Sequence, residues 1–185
     1  MRVVSGLARG HKLLSAEGEG IRPTSDKVKE ALFSSLGDRV YNSSFLDLFA
    51  GSGAMGIEAL SRGCNYAAFV DINKEHIDII RQNVNHVSKA IPAANYEILN
   101  IDAFEAIKLL SKSGKTFDII FIDPPYGKSE FFSVFDKIFD AGIINKDGII
   151  IFETAKNASA PTSEHFNIIK SKIYGKTAVY YMELI

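Results

Sequence analysis

The chain has 185 residues, of which 46% are apolar and 23% charged, with a net charge of −1. That length suits one domain with a sizeable buried core, and 1–185 is read as a single unit. No apolar stretch approaches the roughly 20 residues of a membrane helix, and the first residues lack the apolar segment of a signal peptide. A cytoplasmic address without a membrane partner is therefore expected. The single Cys64 cannot form an internal disulfide, which fits a reducing compartment; after Gly63 and before a strand it reads as a small core residue.

Charge is uneven along the chain. Residues 1–29 hold Arg2, Arg9, Lys12, Arg22, Lys27 and Lys29 against Glu17, Glu19 and Asp26, a local charge of +3, and the remainder carries −4. A basic arm on a mildly acidic body can engage phosphates; a solvated, flexible N-terminus is the competing reading. Segment 1–21 alternates apolar and polar residues around four glycines and reads as a hairpin or extended arm. Arg22-Pro23-Thr24 then opens a helix to residue 36, with Thr24 as N-cap and Val28, Leu32 and Leu36 on one face.

From residue 44 strand and helix signals alternate. Strands are expected at 45–49, 66–70, 96–99, 117–122, 148–152, 166–169 and 178–184, the last two joined at Gly175-Lys176. Helices are expected after the glycines to 62, at 74–88, 103–111 and 131–141. This order specifies an α/β, doubly wound, mostly parallel seven-stranded sheet with an antiparallel edge hairpin. Ligands of such sheets lie beyond the carboxyl ends of the strands, at the switch in strand order.

The candidate site residues fall at those strand ends. Asp47-Leu48-Phe49-Ala50-Gly51-Ser52-Gly53-Ala54-Met55-Gly56 follows a strand and opens a helix. Its glycines match the dinucleotide fingerprint. The acid before them suits a cationic amine, and the helix start suits a carboxylate; S-adenosylmethionine carries both. A purely structural glycine turn remains the alternative. Asp71, at the next strand end, can accept ribose hydroxyls of either cofactor class. Asp102, beside Ala103, can meet an adenine edge or simply cap a helix.

Asp123-Pro124-Pro125-Tyr126 follows the apolar run 117–122. Two prolines stiffen a loop and aim its carbonyls. Asp123 and the Pro124 carbonyl can accept from one amino group while Tyr126 stacks on a flat base. A mere strand terminator is the competing reading. His11, His76, His86 and His165 show no metal-ligand spacing with one another or with Cys64, so no metal is expected, and they read as surface or partly buried side chains.

The order Asp47…Gly51-Ser52-Gly53, Asp71, Asp102, Asp123-Pro124-Pro125-Tyr126 resembles class I S-adenosylmethionine-dependent methyltransferases that modify exocyclic amines. Arg2-Val3-Val4-Ser5-Gly6, the run from Arg22-Pro23-Thr24 to Phe33, and Leu46 to Gly53 narrow the resemblance to the RsmD family of bacterial enzymes acting on a guanine N2 of small-subunit (16S) ribosomal RNA. The resemblance covers nearly the whole chain and implies a Rossmann-like methyltransferase fold. It implies that Asp47, Phe49, Ala50, Gly51, Ser52 and Gly53 hold the methionine part of the cofactor, Asp71 with Ile72 the ribose, and Asp102 with Ala103 the adenine. It assigns the target amine to Asp123, Pro124, Pro125 and Tyr126, and lining of the site to Arg22 and Thr24. Arg2, Arg9 and Lys12 on the basic arm are the candidate phosphate contacts. A monomer acting on ribosomal RNA or an assembling 30S subunit is expected. Adenine-N6 or protein glutamine methylation uses the same loop chemistry; a silent RNA-binding protein or a nicotinamide oxidoreductase are the more distant rivals.

Overall fold

A computed structural model describes residues 1–15, 26–125 and 132–185. In chain order it contains α1 (Asp26–Leu36), a short 3-10 turn (Gly37–Val40), β1 (Ser44–Asp47), α2 (Ala54–Ser61), β2 (Tyr66–Val70), α3 (Lys74–Val87), β3 (Tyr96–Leu99), α4 (Ala103–Lys112), β4 (Phe117–Ile122), α5 (Ser133–Ala141), β5 (Ile144–Ala155), β6 (Phe166–Tyr174) and β7 (Thr177–Leu184). The strands form one sheet in the order β3-β2-β1-β4-β5-β7-β6. β1 to β5 run parallel, β7 is antiparallel to β5, and β6 is antiparallel to β7. The chain winds outward from β1 to β3, then returns to place β4 on the other side of β1. The switch point therefore lies between β1 and β4.

Both faces of the sheet's centre are covered, which is why β4 is apolar without a break from Ile119 to Ile122. Ile119 and Phe121 face the layer made by α1, α2, α3 and the N-terminal hairpin. Ile120 and Ile122 face α4 and α5. The helices start where the chain supplies caps: Asn73 accepts from the Glu75 amide at 2.8 Å, and Asp102 from the Phe104 amide at 2.8 Å. In α3, Ile77, Ile80, Val84 and Val87 are buried, as their helical spacing requires. α2 is buried along its whole length, because the sheet covers one side and the N-terminal hairpin the other.

Residues 1–15 form a hairpin, joined at Arg2 and Lys12 and closed by Val3 N–H to His11 O and Gly10 N–H to Val3 O, both 2.9 Å. It is packed onto the body rather than solvated. The Val4 and Ser5 amides donate to the Glu58 carboxylate at 2.8 and 3.0 Å, and Ala8 N–H donates to Ser61 Oγ at 2.9 Å. Glu58 also pairs with Lys29 at 3.3 Å and with Arg62 at 2.8 Å. Lys29 and Glu58 have 0% side-chain exposure. Burial pulls the Lys29 ammonium below its ordinary value, and the neighbouring Glu58 charge opposes that.

Three expected boundaries move. The first strand ends at Asp47 rather than 49, because the chain turns there into the glycine loop, although Leu48 N–H still reaches Phe121 O at 3.0 Å. β5 extends beyond 148–152 at both ends, since Ile144 pairs with Phe117 and Ala155 with Thr177. β6 extends to Tyr174 through a bulge between Ile168 and Lys170, which breaks the alternation that the sequence pattern relies on. The expected helix start at Arg22-Pro23-Thr24 and the remainder of the 1–21 arm lie outside the described residues. Cys64 is buried beside the Tyr66 carbonyl, and burial pushes its thiol up to about 12. No helix among the described residues is long and apolar enough to cross a membrane.

Candidate active site

Asp47 ends β1 and turns back beneath the glycine loop, where its Oδ2 accepts from the Gly56 amide at 3.1 Å. Gly51 and Gly53 take φ of 53° and 75°, the left-handed region that lets this turn close. Ala50 N–H donates to Val70 O at 2.8 Å, and Gly53 N–H to Ala50 O at 2.7 Å. The loop is thus held between the ends of β1 and β2. Asp47 is only 1% exposed. Burial, followed by the charge of Asp71, raises its carboxyl to about 7, and the Gly56 amide works the other way.

Asp71 follows β2. Its Oδ2 accepts from the Gly51 amide at 2.8 Å and meets His76 Nδ1 at 3.0 Å, and its Oδ1 accepts from the Asn73 amide at 2.8 Å. Next to it, Ile72 is an exposed apolar side chain at 71%. Asn100 Nδ2 donates to the carbonyls of Asp71 and Ile72, both at 3.0 Å, and so ties this turn to the one that carries Asp102. Asp102 is the N-cap of α4, the second of its two expected readings, and Ala103 is buried behind it.

Asp123 leaves the end of β4 on the same face as Asp47, followed by buried Pro124 and exposed Pro125. In the parallel register Ile122 pairs with Phe152, which places Glu153 beside Asp123; Glu153 is 3% exposed. Asp47, Asp123 and Glu153 therefore line one face at the carboxyl ends of three adjacent strands. Burial raises the Asp123 carboxyl well above its ordinary value, reinforced by the charges of Glu153 and then Asp47.

The structure thus brings Asp47, the glycine loop, Asp71, Ile72, Asp102 and Asp123-Pro124-Pro125 to one rim of the sheet. Tyr126, Arg22 and Thr24 lie outside the described residues. Arg9 and Lys12 are exposed on the hairpin, and Arg2 pairs with Asp26 at 3.3 Å. Sequence reasoning missed four residues. Glu153 had no motif around it. Asn100 carries no motif of its own, and His76, expected at the surface or partly buried, was given no role. Asn83 is buried within α3, accepts from Leu14 N–H at 2.8 Å, and donates to Leu14 O at 3.0 Å and Ser52 O at 2.9 Å. It joins the hairpin to the glycine loop.

The donor set fits S-adenosylmethionine. Backbone amides and a buried acid surround the loop, a second acid, Asp71, bonds the loop from the end of the adjoining strand, and an exposed apolar side chain stands beside it.

A family model described as conserved hypothetical protein 95 matches residues 1–183. YlbH of Bacillus subtilis is 34% identical over 97% of this chain and 96% of its own length. Ribosomal RNA small subunit methyltransferase D of Haemophilus influenzae is 31% identical over 95% of this chain and 89% of its own. The solved structure of yhhF from Escherichia coli superposes with a TM-score of 0.84 at 27% identity, covering 100% of this chain and 97% of that one. The chain belongs to the conserved hypothetical protein 95 family, the RsmD family that its motifs resemble.

Proposed function

We propose that this protein transfers a methyl group from S-adenosylmethionine to the exocyclic N2 of a guanine in small-subunit ribosomal RNA. The observation that carries the reading is the meeting of two loops across the β1/β4 switch point. One is the glycine loop over buried Asp47; the other is Asp123-Pro124-Pro125, stiffened by its prolines. Relatives named as ribosomal RNA small subunit methyltransferase D supply the RNA class.

Bound at the glycine loop, S-adenosylmethionine supplies an electrophilic methyl group. The chain's own residues do the rest. Asp47 offers negative charge beneath the loop for the amino-acid ammonium, Gly51 to Gly53 present the loop backbone, Asp71 takes the ribose and Asp102 with Ala103 the adenine rim. Asp123 and the Pro124 carbonyl accept the two N–H groups of the target amine and turn its lone pair toward the methyl donor. As the nitrogen gains the methyl it loses a proton, and the raised basicity of Asp123 suits it to receive that proton. An aromatic amine is a poor nucleophile, so positioning supplies most of the rate. Arg22, Thr24 and Tyr126 are assigned to the base, and Arg2, Arg9 and Lys12 to phosphates. The chain works as one domain and as a monomer, in the cytoplasm, on ribosomal RNA or an assembling 30S subunit.

The test is labelled methyl transfer to small-subunit ribosomal RNA from cells lacking the enzyme, followed by nucleoside analysis. N2-methylguanosine is expected. N6-methyladenosine would reject the guanine assignment, and no labelled product on RNA or on subunits would reject the activity. Asp123→Ala should lower turnover by about a hundredfold or more, with S-adenosylhomocysteine affinity within about threefold of wild type by calorimetry.

A further inference from the structure

The proposed ribose acid is almost fully occupied in the free protein. A carboxylate offers about four acceptor positions. On Asp71, the Gly51 amide and His76 Nδ1 take Oδ2 at 2.8 and 3.0 Å, and the Asn73 amide takes Oδ1 at 2.8 Å. About one position remains, whereas a ribose diol brings two O–H donors. One existing donor has to leave for both hydroxyls to bind.

The three donors differ in what their departure costs. The Gly51 amide belongs to a loop pinned by Ala50 N–H to Val70 O and Gly53 N–H to Ala50 O. The Asn73 amide belongs to the residue whose side chain caps α3, and the Asp71 and Ile72 carbonyls before it are held by Asn100. Releasing either amide would unseat a loop or a helix cap. His76 sits in the first turn of α3, held to Asp71 by its ring alone among the hydrogen bonds described, and its side chain is 17% exposed. Rotation about χ1 removes the ring without moving backbone.

We infer that His76 is a displaceable stopper on the ribose site: its ring fills an acceptor position of Asp71 in the free protein and is expelled when a ligand carrying both ribose hydroxyls binds. The claim rests on reading Asp71 as the ribose acid. Its consequence runs against the usual effect of removing a site histidine. Losing the ring removes a competitor, so binding tightens.

The experiment compares S-adenosylhomocysteine with its 2′,3′-dideoxy analogue by isothermal calorimetry on the full chain. His76→Ala should bind S-adenosylhomocysteine about three- to tenfold more tightly than wild type, the range expected for one net hydrogen bond. The dideoxy analogue, which has no hydroxyl to compete, should bind both proteins equally. His76→Asn keeps a donor at the same reach and should return affinity to the wild-type value. Equal or weaker binding of S-adenosylhomocysteine by His76→Ala, or equal tightening for both ligands, would overturn the inference. Asp71→Asn separates it from the reading beneath. If wild type fails to prefer the diol ligand, or Asp71→Asn leaves that preference intact, Asp71 is not the ribose acid and both fall. If Asp71→Asn abolishes the preference and His76→Ala binds no tighter, only the stopper falls.

Discussion

Asp47 lies under the glycine loop with its carboxyl raised to about 7 by burial and by the charge of Asp71, against an ordinary value of 3.8. The sign of the stability effect follows. Unfolding frees the group to ionise at its ordinary value, so the folded state holds the proton more tightly. Its stabilising contribution is complete below about pH 4 and is lost as pH rises through about 7. The raised Asp123 carboxyl acts in the same direction. The melting temperature of the free protein should therefore fall between about pH 5 and about pH 8, and Asp47→Asn, which still accepts from Gly56, should flatten that fall. The same variant should bind S-adenosylmethionine about tenfold or more weakly, because a charged acceptor is lost. A melting curve as steep as wild type would show that Asp47 ionises normally in the fold. Asp123 was legible at this scale because it directly follows an apolar strand, and Asp47 because it stands before the glycine turn. Their shifted acidity was not, since it depends first on burial and then on the charges of Asp71 and Glu153, and both come only once the sheet is assembled.

Among the elements, the N-terminal hairpin is the one whose placement departs most from a simple reading of charge. Six basic residues in 1–29 suggest an arm held out in solvent, yet residues 1–15 lie against α2. The contact is close enough to demand glycine at position 6, where φ is 77° and an added Cβ would stand 1.8 Å from the Ser61 carbonyl oxygen. Backbone on both sides leaves no side chain free to yield. Gly6→Ala should cost about 1–3 kcal/mol in urea unfolding, the usual range for overpacking. It should also speed hydrogen exchange at Val4 and Ser5, whose amides donate to Glu58. Wild-type protection there would mean that the hairpin tolerates a shift. Within the helices the sequence pattern served well: α3 and α4 begin at Asn73 and Asp102 caps and bury the residues that their period selects. It served less well in β5 and β6, where edge pairing and a bulge lengthen the strands beyond the alternating core.

Across the whole molecule, the hairpin and the glycine loop form a continuous unit. Asn83 bonds Leu14 on one side and Ser52 on the other, and Glu58 ties α2, its own helix, to the hairpin, to α1 through Lys29, and to Arg62 at the helix end. The exposed cations of the hairpin are thereby carried on the same rigid layer that supports the proposed cofactor site. Replacing Arg9 and Lys12 together with alanine should weaken ribosomal RNA binding and reduce the magnitude of the slope of log affinity against log salt by about two. S-adenosylhomocysteine affinity should not change. An unchanged salt slope would place the phosphate contacts elsewhere. The order of strands and helices, and the placing of Asp47, Asp71 and Asp123 at strand ends, were determined by the sequence alone, because hydrophobic period, caps and glycine turns act over a few residues. The tertiary structure decided which acids meet, and added Glu153 to them. Asp123 lies beside Asp47 and Glu153, and Asn83 reaches both Leu14 and Ser52, only because β4 inserts next to β1 and the hairpin folds back over α2. Contacts between residues so far apart in the chain are set by strand order and register, which no local pattern encodes.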